Sequence, residues 1–166
     1  MRNIKWVFLL APLMFIVASC NQSNPVVPPL SGNEVQASIT GEGFFNATDA
    51  LGYDSVTFYY VYATETFQSG LRSVTLTIPK QSTVPYTVTV GSDPVGTISY
   101  TLAPSNTSGP QYFAAPHGVG SGLITVTQIS PTLEGSFSGT LWQLPPSGSD
   151  TVRTITNGQF NAAFVH

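Results

Sequence analysis

From Glu34 onward the chain alternates apolar and polar residues with a period of two, and that rhythm limits what it can fold into. Side chains on a strand point to opposite faces in turn, so such alternation marks strands with one face in a core and the other toward water. In residues 34–40, Val35, Ala37 and Ile39 fall on one side and Gln36, Ser38 and Thr40 on the other. Residues 72–78 align Val74, Leu76 and Ile78; residues 83–90 align Val84, Tyr86, Val88 and Val90; residues 96–102 align Ile98, Tyr100 and Leu102. Pro85 marks an edge strand or a strand start, because proline cannot donate to a ladder. Residues 55–63 put Val56, Phe58, Tyr60 and Tyr62 on one face and Thr57, Tyr59 and Val61 on the other. Further strands are expected at 44–48, 122–129, 133–142, 151–156 and 159–165, the last two joined by a tight Asn157-Gly158 turn.

No stretch has convincing apolar spacing for a helix, and only residues 62–69 leave room for a short one. Strands that do not alternate with helices exclude a parallel α/β sheet. The expectation is therefore an all-β chain: a single antiparallel β-sandwich or barrel-like domain of about ten strands over residues 34–166. Gly135 and Gly139 share a strand face with Leu133, Phe137 and Leu141. Glycine there marks a bulge, a bend or a close backbone approach. Residues 103–121, with Pro104, Gly109, Pro110, Pro116, Gly118 and Gly120, read as a long surface loop.

The N-terminus follows a different rule. Arg2 and Lys5 precede an apolar run at residues 6–17, and Val17-Ala18-Ser19-Cys20 closes it. The run is too short to span a bilayer, which takes about 20 residues, but has the length and basic flank of a signal peptide. Its end resembles the lipobox of bacterial lipoproteins. That resemblance implies cleavage after residue 19 and lipid on Cys20, with membrane attachment through that residue. Several acyl chains on one residue make a stable anchor. Residues 20–33, rich in Pro, Asn and Ser, read as a tether. Cys20 is the only cysteine, so the domain beyond it has no disulfide, thiolate nucleophile or Cys-ligated metal. Position 21 is Asn rather than the Asp that resembles an inner-membrane retention signal, which favours the outer membrane, on its periplasmic face or at the cell surface.

Beyond residue 19 only Arg72, Lys80 and Arg153 oppose eight acidic residues, a net charge of −5. No basic patch exists to neutralise phosphates, so nucleic-acid binding is excluded. Charged residues are 8% of the chain, far below the roughly 25% usual in soluble domains, and Ser and Thr carry the surface instead.

Three stretches of the C-terminal third, Gly120 to Thr127 (GSGLITVT), Leu133 to Thr140 (LEGSFSGT) and Ile155 to Phe160 (ITNGQF), occur in that order. The succession resembles small lipoproteins of unknown function from Bacteroidota-type bacteria. The resemblance covers about 45 residues, with a looser echo at residues 37–41. It implies an all-β fold and an envelope location, and supplies no catalytic residues. Asp54-Ser55-Val56 and Asp150-Thr151-Val152 also resemble the short O-glycosylation pattern of those bacteria.

Catalytic constellations are missing. His117 lies in the Pro/Gly loop and His166 is terminal; there is no G-x-S-x-G elbow and no zinc spacing. No catalytic residue, metal or cofactor is expected. Asn46, Asp49 and Asp54 carry oxygens but lack the spacing of a calcium loop. A pair among Glu34, Glu42, Glu65 and Glu134 would have to share a cleft for glycoside hydrolysis. Tyr53, Tyr59, Tyr60, Tyr62, Tyr112, Phe113 and Trp142 are the aromatics able to stack on a sugar ring, and strand aromatics are mostly core. Tyr112 and Phe113 sit where no periodicity demands burial. They either pin the loop or present a contact surface, and with His117 they are the candidate ligand or partner contacts. The chain reads as a non-enzymatic binding module, with an envelope protein or glycan as partner; a structural envelope component and a glycan-active enzyme are the alternatives.

Overall fold

The computed structural model describes residues 30–67, 70–90, 96–104, 109–114, 120–144 and 152–165. Cys20, residues 1–19 expected to be a signal peptide, the tether residues 20–29, His117 and the Asp150-Thr151 pair lie outside them. Eleven strands account for most of the described chain: β1 (Glu34–Ile39), β2 (Gly43–Ala47), β3 (Leu51–Asp54), β4 (Phe58–Phe67), β5 (Gly70–Pro79), β6 (Tyr86–Val90), β7 (Thr97–Pro104), β8 (Gln111–Ala114), β9 (Ser121–Gln128), β10 (Thr132–Leu144) and β11 (Val152–Val165). The all-β expectation holds. Residues 62–67 continue β4, so the short helix allowed there does not form.

The hydrogen-bonded order is β2-β1-β11-β3-β4-β5-β7-β8-β10-β9-β6, with a further pairing of β10 to β11. Strands β3, β4, β5, β7, β8, β10 and β11 therefore close into a circuit, and β1–β2 and β9–β6 extend from it as ribbons. β10 and β11 make this possible by their length. Near residues 134–140, β10 pairs with β9; at Trp142–Leu144 it pairs with β8. β11 likewise pairs with β1 and then, at its end, with β3.

The β3–β11 pairing is parallel, joining Leu51, Gly52 and Tyr53 to Ala163, Phe164 and Val165. This corrects the purely antiparallel expectation. Leu-Gly-Tyr-Asp has no readable alternation, and its partner lies more than a hundred residues away. Gly52 suits the pairing, since a Cβ there would stand 3.2 Å from the Ala163 carbonyl oxygen.

Asn157 and Gly158 are the second correction: they make no turn, and β11 runs unbroken through them. Asn157 has φ of +53°, and the registers against β1 and β10 both slip there. Asn tolerates positive φ in a bulge as readily as in a turn. Long partners on both sides of β11 select the bulge. The third correction concerns residues 103–121. β7 extends to Pro104, Leu102 N donates to the Pro110 carbonyl at 3.2 Å, and residues 111–114 form β8.

The core lies between the two walls of this folded sheet. Val61, Ala63, Val74, Leu76, Ile78, Ile98 and Tyr100 face inward from one wall; Val35, Ala37, Ile39, Phe45, Ile124, Val126, Leu133 and Phe160 face inward from the other. Each large side chain so buried contributes about 1.5–3 kcal/mol. The Gly135 and Gly139 expectation of close approach also holds. Gly135 faces Phe160 across the ladder, and Phe137 faces Gly158. A Cβ on Gly135 would stand 2.0 Å from the Thr125 carbonyl oxygen and 2.6 Å from the Phe160 ring. The two rings pack at 6.4 Å between centroids, each over the other's neighbouring glycine.

Candidate functional site

Five of the six described carboxylates are occupied by structural partners; the sixth, Asp49, is exposed beside β3. Arg72, on β5, is 1% exposed and reaches across the core to the β1–β2 turn. It donates to the carbonyls of Glu42 and Phe44, both at 2.8 Å, and to Glu65 Oε2 at 2.5 Å. Its guanidinium also lies 3.9 Å from the Phe67 ring centroid. Arg153, on β11, holds Glu42 Oε1 from Nε and Nη2 at 3.2 and 2.9 Å. Glu34 binds the Ser31 backbone and hydroxyl, and Glu134 takes Gln128 and Thr132 at the β9–β10 corner. Asp54 pairs with Lys80. Among the described residues no three His, Cys, Asp or Glu side chains gather where they could hold a metal ion.

Of the three candidate contact residues, the structure separates two and says nothing of His117. Tyr112 is 2% exposed, so it is core rather than contact surface. Its ring lies 6.0 Å from that of Tyr100, and the Arg153 guanidinium sits 4.8 Å from its centroid. The cause is parity: Tyr112 and Ala114 point inward from β8, so Gln111 and Phe113 point outward. Phe113 is half-buried on the outer face, directly opposite Trp142 of β10 and Ser99 of β7.

That register continues across the wall. Leu51 pairs with Tyr62, Tyr62 with Thr75, Thr75 with Ser99, Ser99 with Phe113 and Phe113 with Trp142. Residues directly opposite one another point to the same face. The six side chains therefore form one row across β3, β4, β5, β7, β8 and β10. A second row, Tyr53, Tyr60, Thr77 and Thr97, runs beside it. Tyr53 and Tyr62 are each 41% exposed and Trp142 is 47% exposed. Neighbouring strands lie about 4.8 Å apart, which makes the long row about 24 Å from end to end.

This outer face has aromatics at both ends and hydroxyls between them. The centre is Ser73, Thr75 and Thr77 from β5, with Thr97, Ser99 and Thr101 from β7, all half-buried. No charged side chain points outward from β3, β4, β5, β7 or β8 among the described residues; Asp54, at the strand margin beside Lys80, lies opposite buried Tyr59 and shares its inner parity. The opposite wall has two shallow grooves on its outer side. One is lined by hydroxyls including Thr89, Ser121, Ser138, Thr140, Thr154 and Thr156; the other includes Glu134, Gln159 and Asn161. Neither contains an exposed aromatic ring.

Tyr62 and Trp142 are legible in the sequence as aromatics on expected strands and Tyr53 as an aromatic between two of them, but none as part of an outward set. Their exposure follows from register with β5 and β8, which single-strand alternation does not contain. Ser55, in the O-glycosylation-like tripeptide, has its hydroxyl tied to the Phe58 carbonyl at 3.0 Å and to the Phe58 amide at 3.1 Å, within the β3–β4 turn.

Compared with known protein families, with curated proteins and with solved structures, the chain matches none.

Proposed function

We propose that the chain is a lipid-anchored protein of the bacterial cell envelope, attached to the outer membrane through Cys20, and that it acts by binding rather than catalysis. The observation that carries this reading is the row from Leu51 to Trp142, which exposes rings and hydroxyls together on one wall. Contiguous exposed apolar surface marks interaction sites. The engagement of Glu34, Glu42, Glu65 and Glu134 with structural partners supports a binding role over acid–base chemistry. The anchor rests on the lipobox-like end of the signal segment and on the resemblance to small Bacteroidota-type lipoproteins.

Growth with an alkyne analogue of palmitate tests the anchor. Wild-type protein should carry the label and Cys20→Ala should not; label on the variant would remove Cys20 from the reading. For binding, full-length protein in detergent is sedimented with envelopes from the producing cells. Retention of wild type and loss of a Tyr62→Ala, Trp142→Ala double variant are expected. Equal retention of both proteins would show that this face is not the contact surface.

A further inference from the structure

The face just described has a composition that selects its occupant. We infer that the outer face of β3, β4, β5, β7 and β8, with Trp142 of β10, binds a neutral polysaccharide lying across the strands, with sugar rings stacked on Tyr62 and Trp142 and hydroxyls bonded to Thr75 and Ser99. This inference rests on the binding-module reading and names the ligand class for it.

Charge is the first argument. The described face offers no ionic partner; Asp54, at its margin, is paired with Lys80 and lies opposite inward Tyr59. A polyanion or polycation pressed against it would lose water around its charges and gain no counter-charge, which is unfavourable. The complementary polymer is an uncharged one. The second argument is the order of side chains. A pyranose ring has an apolar C–H face and a rim of hydroxyls. Tyr and Trp offer a flat apolar body with a polar tip, and they suit such an amphipathic partner better than an aliphatic patch would. Thr and Ser hydroxyls donate and accept equally, matching hydroxyl groups of either orientation. Along the long row the sequence is Leu51, Tyr62, Thr75, Ser99, Phe113 and Trp142: apolar, aromatic, hydroxyl, hydroxyl, aromatic, aromatic.

Dimension is the third. Tyr62 and Phe113 are three strand spacings apart, about 14 Å, and Trp142 is one further. A monosaccharide cannot touch both ends, whereas a chain of several rings can. Neighbouring strands also rotate by roughly 20–25°, so the platform is twisted, and a flexible glycan chain can follow it where a rigid flat polymer cannot. A second copy of this chain is the competing occupant of an apolar sheet face, and it makes a different prediction.

Affinity electrophoresis in native gels containing soluble neutral polysaccharides (an α-glucan, a β-glucan, a mannan and a xylan), with polygalacturonate as the anionic control, tests the inference on full-length protein in detergent. Wild type should be retarded by at least one neutral polymer and not by polygalacturonate. Tyr62→Ala and Trp142→Ala should each weaken that retardation about tenfold, the amount expected for about 1.4 kcal/mol. Thermal unfolding of the variants should match wild type, because both side chains are exposed. No retardation by any neutral polymer would overturn the glycan assignment, as would retardation unchanged in both variants. If envelope sedimentation still depends on Tyr62 and Trp142 in that case, the binding-module reading survives and only the ligand class falls. Chemical cross-linking of a Trp142→Cys variant into a dimer would assign the face to self-association instead.

Discussion

Arg72 Nη2 stands 2.5 Å from Glu65 Oε2, with the arginine 1% exposed and the glutamate side chain 21% exposed. The same guanidinium satisfies two backbone carbonyls of the β1–β2 turn. One side chain on β5 thus ties the two walls together, and its charge is neutralised within its own wall. Removing one member of a buried pair leaves the other uncompensated, a loss of about 3–5 kcal/mol. Arg72→Ala should lower stability to urea by that order. Arg72→Met combined with Glu65→Leu should recover part of the loss and not all, because the Glu42 and Phe44 carbonyls stay without their donor. Equal urea midpoints for Arg72→Ala and wild type would contradict this account.

Gly135→Ala is expected to destabilise the fold. The added methyl would meet the Thr125 carbonyl oxygen at 2.0 Å and the Phe160 ring at 2.6 Å, and the first of these is backbone that cannot swing aside. Overpacking of this kind costs about 1–3 kcal/mol. Gly32→Ala, where nothing lies within 4 Å of the new carbon, is the control and should leave the melting temperature unchanged.

The bulge in β11 can be probed at Asn157, whose φ is +53°. Valine there should lower stability by about 1–2 kcal/mol, since branched residues enter the left-handed region at a cost. Glycine should be tolerated. If Val and Gly behave alike in thermal melts, the backbone at this position has moved out of the left-handed region.

Stability should fall at alkaline pH through Tyr86. Burial, and then the neighbouring Tyr59, push its hydroxyl up to about 12, while the Gln81 backbone pulls the other way less strongly. Tyr100 shifts in the same direction, through burial and then Glu42. An unfolded tyrosine ionises near 10. Below about pH 10 both states keep the proton and the contribution is constant. Above it the unfolded chain loses the proton first, so folding stability drops as pH rises from about 10 toward 12. Urea midpoints measured across that interval should decline, and Tyr86→Phe should make the decline shallower. The buried Tyr86 hydroxyl has no hydrogen bond of good geometry, and the Gln81 backbone favours its ionised form, so this variant should cost little stability at neutral pH.

Much of the architecture could be read from alternation alone, and β4 shows where such reading stops. Both of its faces carry aromatic residues, so the strand by itself does not say whether Tyr59 or Tyr62 is buried. β5 has one plainly apolar face, Val74, Leu76 and Ile78, and the register sets Ala63, Val61 and Tyr59 opposite those three. Parity then passes along the wall from strand to strand and turns Tyr62, Phe113 and Trp142 outward. β8 is not legible from alternation because it has four residues between prolines and glycines, and β3 because one of its partners is the far end of β11. The Asn-Gly signal at 157 and 158 was real, since positive φ is present, but local chemistry cannot distinguish a turn from a bulge. The aromatic residues of the outer face are legible in the sequence, while their arrangement in a row is a property of pairing between strands.

The place of β11 has a consequence for how the molecule is made. It is the partner of β1, the first strand, and of β10 and β3 as well. A chain delivered N-terminus first through a membrane would emerge with β1 and β3 still lacking a neighbour, and only arrival of β11 would supply both. Contacts so distant in sequence make folding slow. The run β3-β4-β5-β7-β8 can pair without it, so the seam through β11 would be the last part of the circuit to close, and the two walls could not be joined before nearly all of the domain had arrived.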